Sequence, residues 1–491
     1  MARLTRAPRP ARAALLGIVP ILSAALILPA LVVPALVMPA AAQQGRVEVM
    51  QYENGGIYEG TFKGGQPHGQ GTYSLPNGYS YAGAWVEGQI LGEGVATYPD
   101  GSVYEGAFVN GQPDGFGRIT YANGATYEGQ WQVGSRNGQG VATYPGGGRY
   151  EGEFRDGKPH GTGVLTGSDG YRYDGTWLDG RKEGEGTITY PDGSVYVGGL
   201  VEDRRAGQGR LVRPDGFVYE GAWAEGQITG DGTLTQTTGD IYEGSLVAGA
   251  RDGRGKITYA NGDVYEGGFR DDLRHGQGTF RGADGYVYEG AYVQGEPEGA
   301  GRVTYPDGAV YDGGLQDGVP EGQGAITYPD GSTYEGGWSG GVQSGEGIAR
   351  YADETVYEGA FMNGLPHGIG SMRYPDGYSY TGAWRAGQHH GQGTARYADG
   401  SVYEGNFEKG VRSGDGAITT PDGFTYSGGW AEGQMQGEGE ATYVNGDVYT
   451  GEFVDGQREG TGRMLYATGE QAFGIWEAGQ LVSEVEPEQD G

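Results

Sequence analysis

The 491-residue sequence contains no cysteine, which excludes a disulfide, a thiol nucleophile and a cysteine-ligated metal site. Cations are scarce, with 33 Lys and Arg against 64 Asp and Glu. The resulting net charge of −31 opposes binding to nucleic acid or to a strongly anionic membrane, because both need clustered cations. Apolar residues make up only 36% of the chain, but aromatic residues reach 12%, whereas a disordered chain would be poor in them.

The first 42 residues have the pattern of an export signal. Four arginines lie between residues 3 and 12, a charge-free run covers residues 13–37, and three alanines end at Ala42. This order predicts a signal peptide, 1–42, cleaved between Ala42 and Gln43. The run of 25 residues also exceeds the ~20 needed to cross a bilayer, so an uncleaved anchor in the inner membrane is the alternative. The arginine-only start and the alanines look bacterial, and we expect the remainder in the periplasm or elsewhere in the cell envelope.

After the signal, a unit of 23 residues repeats without insertion or deletion. Tyrosines recur at every 23rd position from Tyr58 to Tyr449, and Ala472 occupies the next anchor position. A glycine lies two residues after each anchor. All eight tryptophans lie four residues after an anchor, a position that holds Phe, Tyr or Leu in the other units. The repeat predicts a quasi-one-dimensional array over residues 52–480, between a short linker, 43–51, and an acidic tail, 481–491.

Each unit has the pattern of a β-hairpin. Residues 94–98 and 104–108 alternate between apolar and polar or small side chains, which is typical of a half-buried strand. The sequence Pro99-Asp100-Gly101 favours a tight turn between them, and residues 110–115 are expected to link to the next hairpin. No segment after residue 42 has helical spacing. We therefore predict an all-β fold, in which about 18–19 hairpins form an elongated, twisted single-layer sheet, or half-pipe.

Substitutions between the units support this pairing. Six units lack the tyrosine before the turn, and five of them carry an aromatic residue just after it, as at Tyr79 and Tyr171. The two positions flank the turn, so the ring moves to its cross-strand partner. The aromatic pattern lapses only between residues 196 and 315, where leucines enter it. That middle third is either a bend, a partner site or the result of sequence drift.

The repeat resembles the membrane occupation and recognition nexus (MORN) repeat. The resemblance rests on YEGTFKGGQPHGQG at residues 58–71 and on YEGAFVNGQPDGFG at 104–117, and it extends over residues 52–480. It implies β-hairpin arrays that scaffold other proteins, dimerise, or hold membranes and proteins together. It does not identify a partner.

The polar residues do not indicate catalysis. Five of the six histidines occupy one repeat position before the Gly-x-Gly pair, which favours a polar turn residue over a catalytic one. These histidines are His68, His160, His275, His367 and His390. Acidic residues follow most anchors, as at Glu59 and Glu105, and we interpret this row as a solvated face in preference to a calcium site or an acid–base pair. We predict no enzyme activity, no cofactor, no metal, and neither catalytic nor cofactor-binding residues.

The aromatic row is the candidate binding face, although rings that pack on one another as the core of the array are the alternative. The residues assigned to this face are Tyr58, Phe62, Tyr81, Trp85, Tyr104, Phe108, Tyr127, Trp131, Trp177, Trp223, Trp338, Trp384 and Trp430. The expected function is a non-enzymatic, elongated scaffold of the cell envelope that binds protein partners or itself. Contact with membrane lipid and binding of glycans are the alternatives, and nucleic acid is not expected as a partner.

Overall fold

The computed structural model describes residues 46–485, which form one open antiparallel sheet of 39 strands, β1–β39. Every strand pairs with the next strand in the chain, from β1–β2 to β38–β39, so the array is a continuous meander. The prediction of an all-β array of hairpin repeats is confirmed. The predicted signal and its cleavage site at Ala42 and Gln43 lie outside the described residues, as do residues 486–491 of the acidic tail.

Strands of seven and nine residues alternate along the sheet, with truncated strands at its two ends. The terminal strands are β1 Glu48–Gln51 and β39 Gln480–Glu484. The seven-residue strands are β2 Ile57–Lys63, β4 Ser80–Val86, β6 Val103–Val109, β8 Thr126–Gln132, β10 Arg149–Arg155, β12 Arg172–Leu178, β14 Val195–Val201, β16 Val218–Ala224, β18 Ile241–Val247, β20 Val264–Arg270, β22 Val287–Val293, β24 Val310–Gln316, β26 Thr333–Ser339, β28 Val356–Met362, β30 Ser379–Arg385, β32 Val402–Glu408, β34 Thr425–Ala431, β36 Val448–Val454 and β38 Gln471–Glu477. The nine-residue strands are β3 Gln66–Ser74, β5 Gln89–Thr97, β7 Gln112–Thr120, β9 Ser135–Thr143, β11 Lys158–Thr166, β13 Arg181–Thr189, β15 Arg204–Val212, β17 Gln227–Thr235, β19 Ala250–Thr258, β21 Leu273–Arg281, β23 Glu296–Thr304, β25 Val319–Thr327, β27 Val342–Arg350, β29 Leu365–Arg373, β31 Gln388–Arg396, β33 Val411–Thr419, β35 Gln434–Thr442 and β37 Gln457–Leu465.

The connection after each seven-residue strand is shorter than the sequence predicted. Between β6 and β7 only Asn110 and Gly111 form the turn, and Gln112 already pairs with Val109. Both turn residues have positive φ, 49° and 75°, as a two-residue turn compatible with strand twist requires. The predicted linker over residues 110–115 is therefore wrong beyond Gly111, since the rest of it belongs to β7.

The other connection contains the tight turn predicted at Pro99-Asp100-Gly101, within a loop of five residues, 98–102. At residues 98–102 the Tyr98 amide donates to the Ser102 carbonyl at 2.8 Å, and the Gly101 amide donates to the Tyr98 carbonyl at 2.9 Å. The Asp100 carboxylate accepts the Ser102 amide at 2.9 Å. That hydrogen bond lowers the pKa of the exposed Asp100 carboxyl. Aspartate at this repeat position is thus explained by the turn it stabilises.

A β-bulge recurs in each hairpin that has a two-residue turn. Gly106 pairs with Gly117 but Phe108 pairs with Pro113, so β7 contributes two more residues than β6 between these pairs. Extra residues on one strand bend it and increase its twist. Repeated along the chain, the bulge curls the sheet around the side chains on one face.

The middle third keeps the same pairing. Leu200, Leu246 and Leu315 replace aromatic residues there, and all three are buried. Their strands show the same bulge as the other hairpins. The lapse in the aromatic pattern is therefore not a break in the sheet, and the partner site proposed for this region stays a prediction.

Candidate interaction surface

Each anchor tyrosine packs over the two glycines of its own hairpin. A Cβ at Gly60 or Gly71 would collide with the ring or hydroxyl of Tyr58. The Tyr58 hydroxyl donates to the carbonyl of Thr61 at 3.0 Å, within the bulge. The same bond, from an anchor tyrosine to the carbonyl three residues later, is present in all eighteen units. The glycines thus give the ring its space, and the hydroxyl satisfies a carbonyl that the bulge leaves unpaired.

The rings form a ladder between units, which is interrupted where Leu200, Leu246 and Leu315 replace an aromatic residue. Tyr104 makes edge-to-face contacts with Phe108 of its own unit and with Trp131 of the next, at centroid distances of 5.0 and 5.1 Å. Trp131 then contacts Tyr127 at 5.3 Å. Such contacts are favourable beyond the area they bury. Each anchor ring is thus covered on one side by its own unit and on the other by the following unit.

Tryptophan adds a hydrogen bond between units. The indole N–H of Trp131 donates to the Gly117 carbonyl at 3.1 Å, and Gly117 belongs to the preceding unit. All eight tryptophans make this bond to the carbonyl fourteen residues earlier. A buried indole N–H needs an acceptor, and here the acceptor joins neighbouring hairpins.

The residues predicted as a binding face are therefore largely the core. The anchor tyrosines of the first four units, Tyr58, Tyr81, Tyr104 and Tyr127, are at most 1% exposed. Phe108 and all the tryptophans of this predicted face are also buried, and Phe62 is partly buried against them. Those tryptophans are Trp85, Trp131, Trp177, Trp223, Trp338, Trp384 and Trp430. The expectation that these rings are accessible is therefore wrong, because the curled sheet and the next unit cover them. A partner contact at the small part of each ring that stays exposed remains a prediction.

The rings that flank the five-residue loops form a second, half-buried row. Tyr79, which lies after its turn, contacts Tyr98, which lies before the next one, at 6.0 Å between centroids. Tyr171 and Tyr190 repeat this contact at 6.2 Å. A ring on either side of the turn therefore reaches the same row, as the substitutions between units indicated.

Sequence reasoning missed a position nine residues after the anchor, where several units carry a cation. The Arg205 guanidinium lies 4.1 Å from the ring centroid of Trp223 and donates to the Gly226 carbonyl at 2.8 Å. Arg412 repeats this arrangement over Trp430, at 4.2 Å. The signal was the 23-residue spacing of these cations, but the position holds uncharged residues, mostly Pro or Ile, in the other units, which obscures the pattern.

His389 occupies this same position. Its imidazole stacks on the Tyr380 ring with a centroid distance of 3.7 Å and an interplanar angle of 19°. Burial among the aromatic rings lowers the pKa of His389 to about 4, so the ring is uncharged at neutral pH. The interaction is part of the packed core and brings no nucleophile or further metal ligand to the imidazole.

Two of the five histidines before the Gly-x-Gly pairs act as caps for turns. The Nδ1 atoms of His160 and His367 accept the amides of Asp179 and Ala386, at 3.4 and 3.5 Å. In other units a carboxylate makes the same contact, as when Asp114 accepts the Val133 amide at 3.0 Å. Each contact reaches the two-residue turn of the following unit. Over residues 46–485 no group of three or more metal-ligating side chains is present.

The face opposite the rings carries the exposed polar side chains and two grooves. A groove of about 930 Å³ lies within residues 243–300, and a second of about 620 Å³ lies within residues 323–381. In the first, Lys256 pairs across the strands with both Glu243 and Glu266. In the second, Ile348 occupies the position of that lysine, between Glu335 and Glu358. One groove therefore has a cation between two carboxylates, and the other has an isoleucine there.

The fold and the ring ladder define a protein built entirely from stacked β-hairpin repeats. Comparison identifies the family: eighteen segments between residues 58 and 471 match the MORN repeat, and the chain belongs to the MORN repeat family. The resemblance noted from the sequence is confirmed. No curated protein matches the chain significantly. In the part of the chain that the structure describes, no helix has the length and apolar character required to cross a membrane.

Solved structures share only limited similarity with the chain. The TCP domain of SAS-4 (dCPAP) of Drosophila melanogaster, in complex with a proline-rich motif of Ana2 (dSTIL), is 17% identical over 32% of this chain and 85% of that chain, with a TM-score of 0.20. The TCP10 domain of Danio rerio CPAP, in complex with a peptide of STIL, is 16% identical over 54% and 92%, with a TM-score of 0.19. A streptogramin B lyase is 11% identical over 70% and 92%, with a TM-score of 0.10. Scores this low support no functional inference.

Proposed function

We propose that this chain is a non-enzymatic, elongated scaffold of the cell envelope that binds protein partners, or a second copy of itself, through the sheet face opposite the rings. The observation that carries the proposal is the division of the sheet into two faces. One face uses its aromatic side chains to hold the array together, with anchor tyrosines that are almost completely buried. The other face is exposed, polar and grooved, and its side chains are free to contact a partner.

The dimensions of the array suit a scaffold. Thirty-nine strands in one sheet, at about 4.8 Å per strand, give a length on the order of 180 Å measured along the sheet. The same exposed positions recur in every unit, so the face offers a repeated series of contact sites. Membership in a family of interaction repeats supports this function.

Several side chains of the types that take part in catalysis have structural roles here. His160 and His367 cap turns, His389 stacks in the core, and turn carboxylates such as that of Asp100 accept backbone amides. A catalytic site would instead bring several differentiated groups together around a space for substrate. These structural roles support a binding function without catalysis. The basic, then apolar, then alanine-rich start of the sequence supports export to the envelope.

A site-specific crosslinking experiment tests the proposal. A photoreactive amino acid replaces Ile369, which lies on the grooved face with 68% of its surface exposed, in cells that produce the full chain. The matched control replaces Val444, which is 63% exposed but lies in a five-residue loop at the sheet margin. We expect a discrete protein adduct, identified by mass spectrometry, from position 369 and not from position 444. Absence of any adduct at 369, or the same adducts at both positions, would contradict the proposal.

A further inference from the structure

The groove over β25–β30 combines exposed apolar side chains with carboxylates that lack local cations. Ile348 and the highly exposed Ile369 lie on its floor, beside Glu335, Glu346 and Glu358. All three carboxylates are exposed, and none makes an ion pair with any residue in the range 46–485. An exposed isoleucine in a groove is a contact surface for an apolar group, and the carboxylates around it favour a cationic ligand.

The groove in the middle third has a different charge pattern. There the position equivalent to Ile348 is Lys256, which lies between two glutamates. Two further cations occupy equivalent positions: Arg302 lies 3.8 Å from Asp312, and Arg210 lies 3.6 Å from Glu220. That part of the face places cations beside its own carboxylates. Around Ile348, an uncharged residue lies between Glu335 and Glu358 instead.

The spacing of the array restricts the conformation of such a ligand. Glu335 and Glu358 lie on β26 and β28, two strands apart, and Ile348 lies on β27 between them. Two strand spacings amount to about 9.6 Å. A polyproline II helix rises ~3.1 Å per residue with three residues per turn, so it presents the same face every ~9.3 Å. An extended β-strand presents the same face every ~6.8 Å, which does not match the carboxylate spacing.

We propose that this groove binds a proline-rich basic segment of a partner protein in the polyproline II conformation, with Lys or Arg at every third residue. The cations lie against Glu335 and Glu358, with Glu346 beside them. The prolines between the cations pack on Ile348 and Ile369. This inference rests on the proposed scaffold function and adds the chemistry of the partner.

The test uses the purified full-length chain and a fluorescein-labelled peptide of five Lys-Pro-Pro triplets, with binding followed by fluorescence anisotropy. We expect saturable binding that weakens as salt is raised from low to physiological concentration. A peptide of five Glu-Pro-Pro triplets is the charge control and should not bind. A peptide of five Lys-Gly-Gly triplets keeps the charge and its spacing but not the preorganised helix, and it should bind more weakly.

Variants locate the peptide in the groove. Ile348→Lys installs the cation that the middle groove already carries, and it should weaken binding at least about tenfold. The double change Glu335→Gln and Glu358→Gln should have a similar effect and conserves side-chain size. The matched control is Glu220→Gln, because the Glu220 carboxylate lies 3.6 Å from Arg210, a cation of the same face. Circular dichroism confirms folding of each variant, and the double change serves if Ile348→Lys does not fold.

Equal binding of the lysine and glutamate peptides, no binding, or binding unchanged by both groove variants would overturn the inference. These failures are distinguishable from failure of the scaffold proposal. If position 369 gives a specific protein adduct in cells but the Lys-Pro-Pro peptide does not bind, the face is an interaction surface for a partner of different chemistry. If the peptide binds as expected but no adduct forms, the groove chemistry is right and the scaffold proposal is contradicted.

Discussion

The indole N–H of Trp131 donates a hydrogen bond to the carbonyl of Gly117, 3.1 Å away in the preceding hairpin. The same Trp131 ring lies edge-to-face on Tyr104, which itself lies over Gly117. A single tryptophan therefore supplies both apolar packing and a polar link between two neighbouring units. Since every unit contacts mainly its neighbours, this junction is the element on which cooperativity along the array depends.

Replacement of Trp131 separates the two contributions. Trp131→Phe keeps a ring at a position that is Phe in other units, but it leaves the Gly117 carbonyl without its donor, so we expect a loss of about 1–2 kcal/mol. Trp131→Ala also removes the buried ring and should cost about 3–5 kcal/mol. Hydrogen exchange of the β7 and β8 amides measures the free energy of local opening in each variant. A Trp131→Phe variant as stable as the wild-type chain would show that the hydrogen bond does not contribute, and equal losses in the two variants would show that the buried ring adds nothing beyond it.

The paired glycines provide a second prediction. A Cβ at Gly117 would collide with Tyr104, so Gly117→Ala should destabilise its hairpin by about 1–3 kcal/mol. Gly146 is the matched control: it has no heavy atom within 4 Å of a built Cβ and does not have positive φ. Gly146→Ala should be neutral or slightly stabilising, because it reduces the freedom of the unfolded chain. Urea unfolding followed by circular dichroism compares the two, and comparable destabilisation would contradict the steric role of Gly117.

His389 makes stability depend on pH in a defined direction. Its folded-state pKa is about 4, below its ordinary value of 6.5, so the folded chain favours the uncharged ring. Its contribution to stability is therefore complete above about pH 6.5 and is lost as the pH falls towards 4, because the unfolded chain takes up the proton first. The His389→Gln variant is the reference, since Gln343 occupies the equivalent position in another unit. Thermal unfolding between pH 7.5 and 4 should show the wild-type chain losing stability relative to the variant, whereas parallel profiles would contradict the shift.

The sequence was sufficient to predict the hairpins but not the burial of their aromatic rings. The turn signal at Pro99-Asp100-Gly101 and the strand alternation are local, and local contacts dominate an array of this kind. Burial of Tyr104 depends instead on the bulge that places Phe108 opposite Pro113, and on Trp131 from the next unit. Neither the register shift nor the inter-unit contact leaves a signal within one unit. The sequence therefore predicted that a single-layer sheet exposes its rings, whereas the curvature of the sheet and the adjacent units bury them.

The electrostatics of the array lead to a prediction about membranes. The chain has a net charge of −31, and four of its cations lie in the N-terminal segment before residue 13, so residues 43–491 carry a net charge of −35 if the signal is removed. An anionic lipid surface repels such a chain, and the anchor tyrosines and the tryptophans that would insert into a neutral one are buried. We expect no co-sedimentation of residues 43–491 with neutral or anionic liposomes at low or physiological salt. Binding to neutral liposomes that persists in physiological salt would contradict this and show that an apolar part of the array contacts lipid. The first residues to mutate would then be those exposed at the turns, such as Met362 and Leu365.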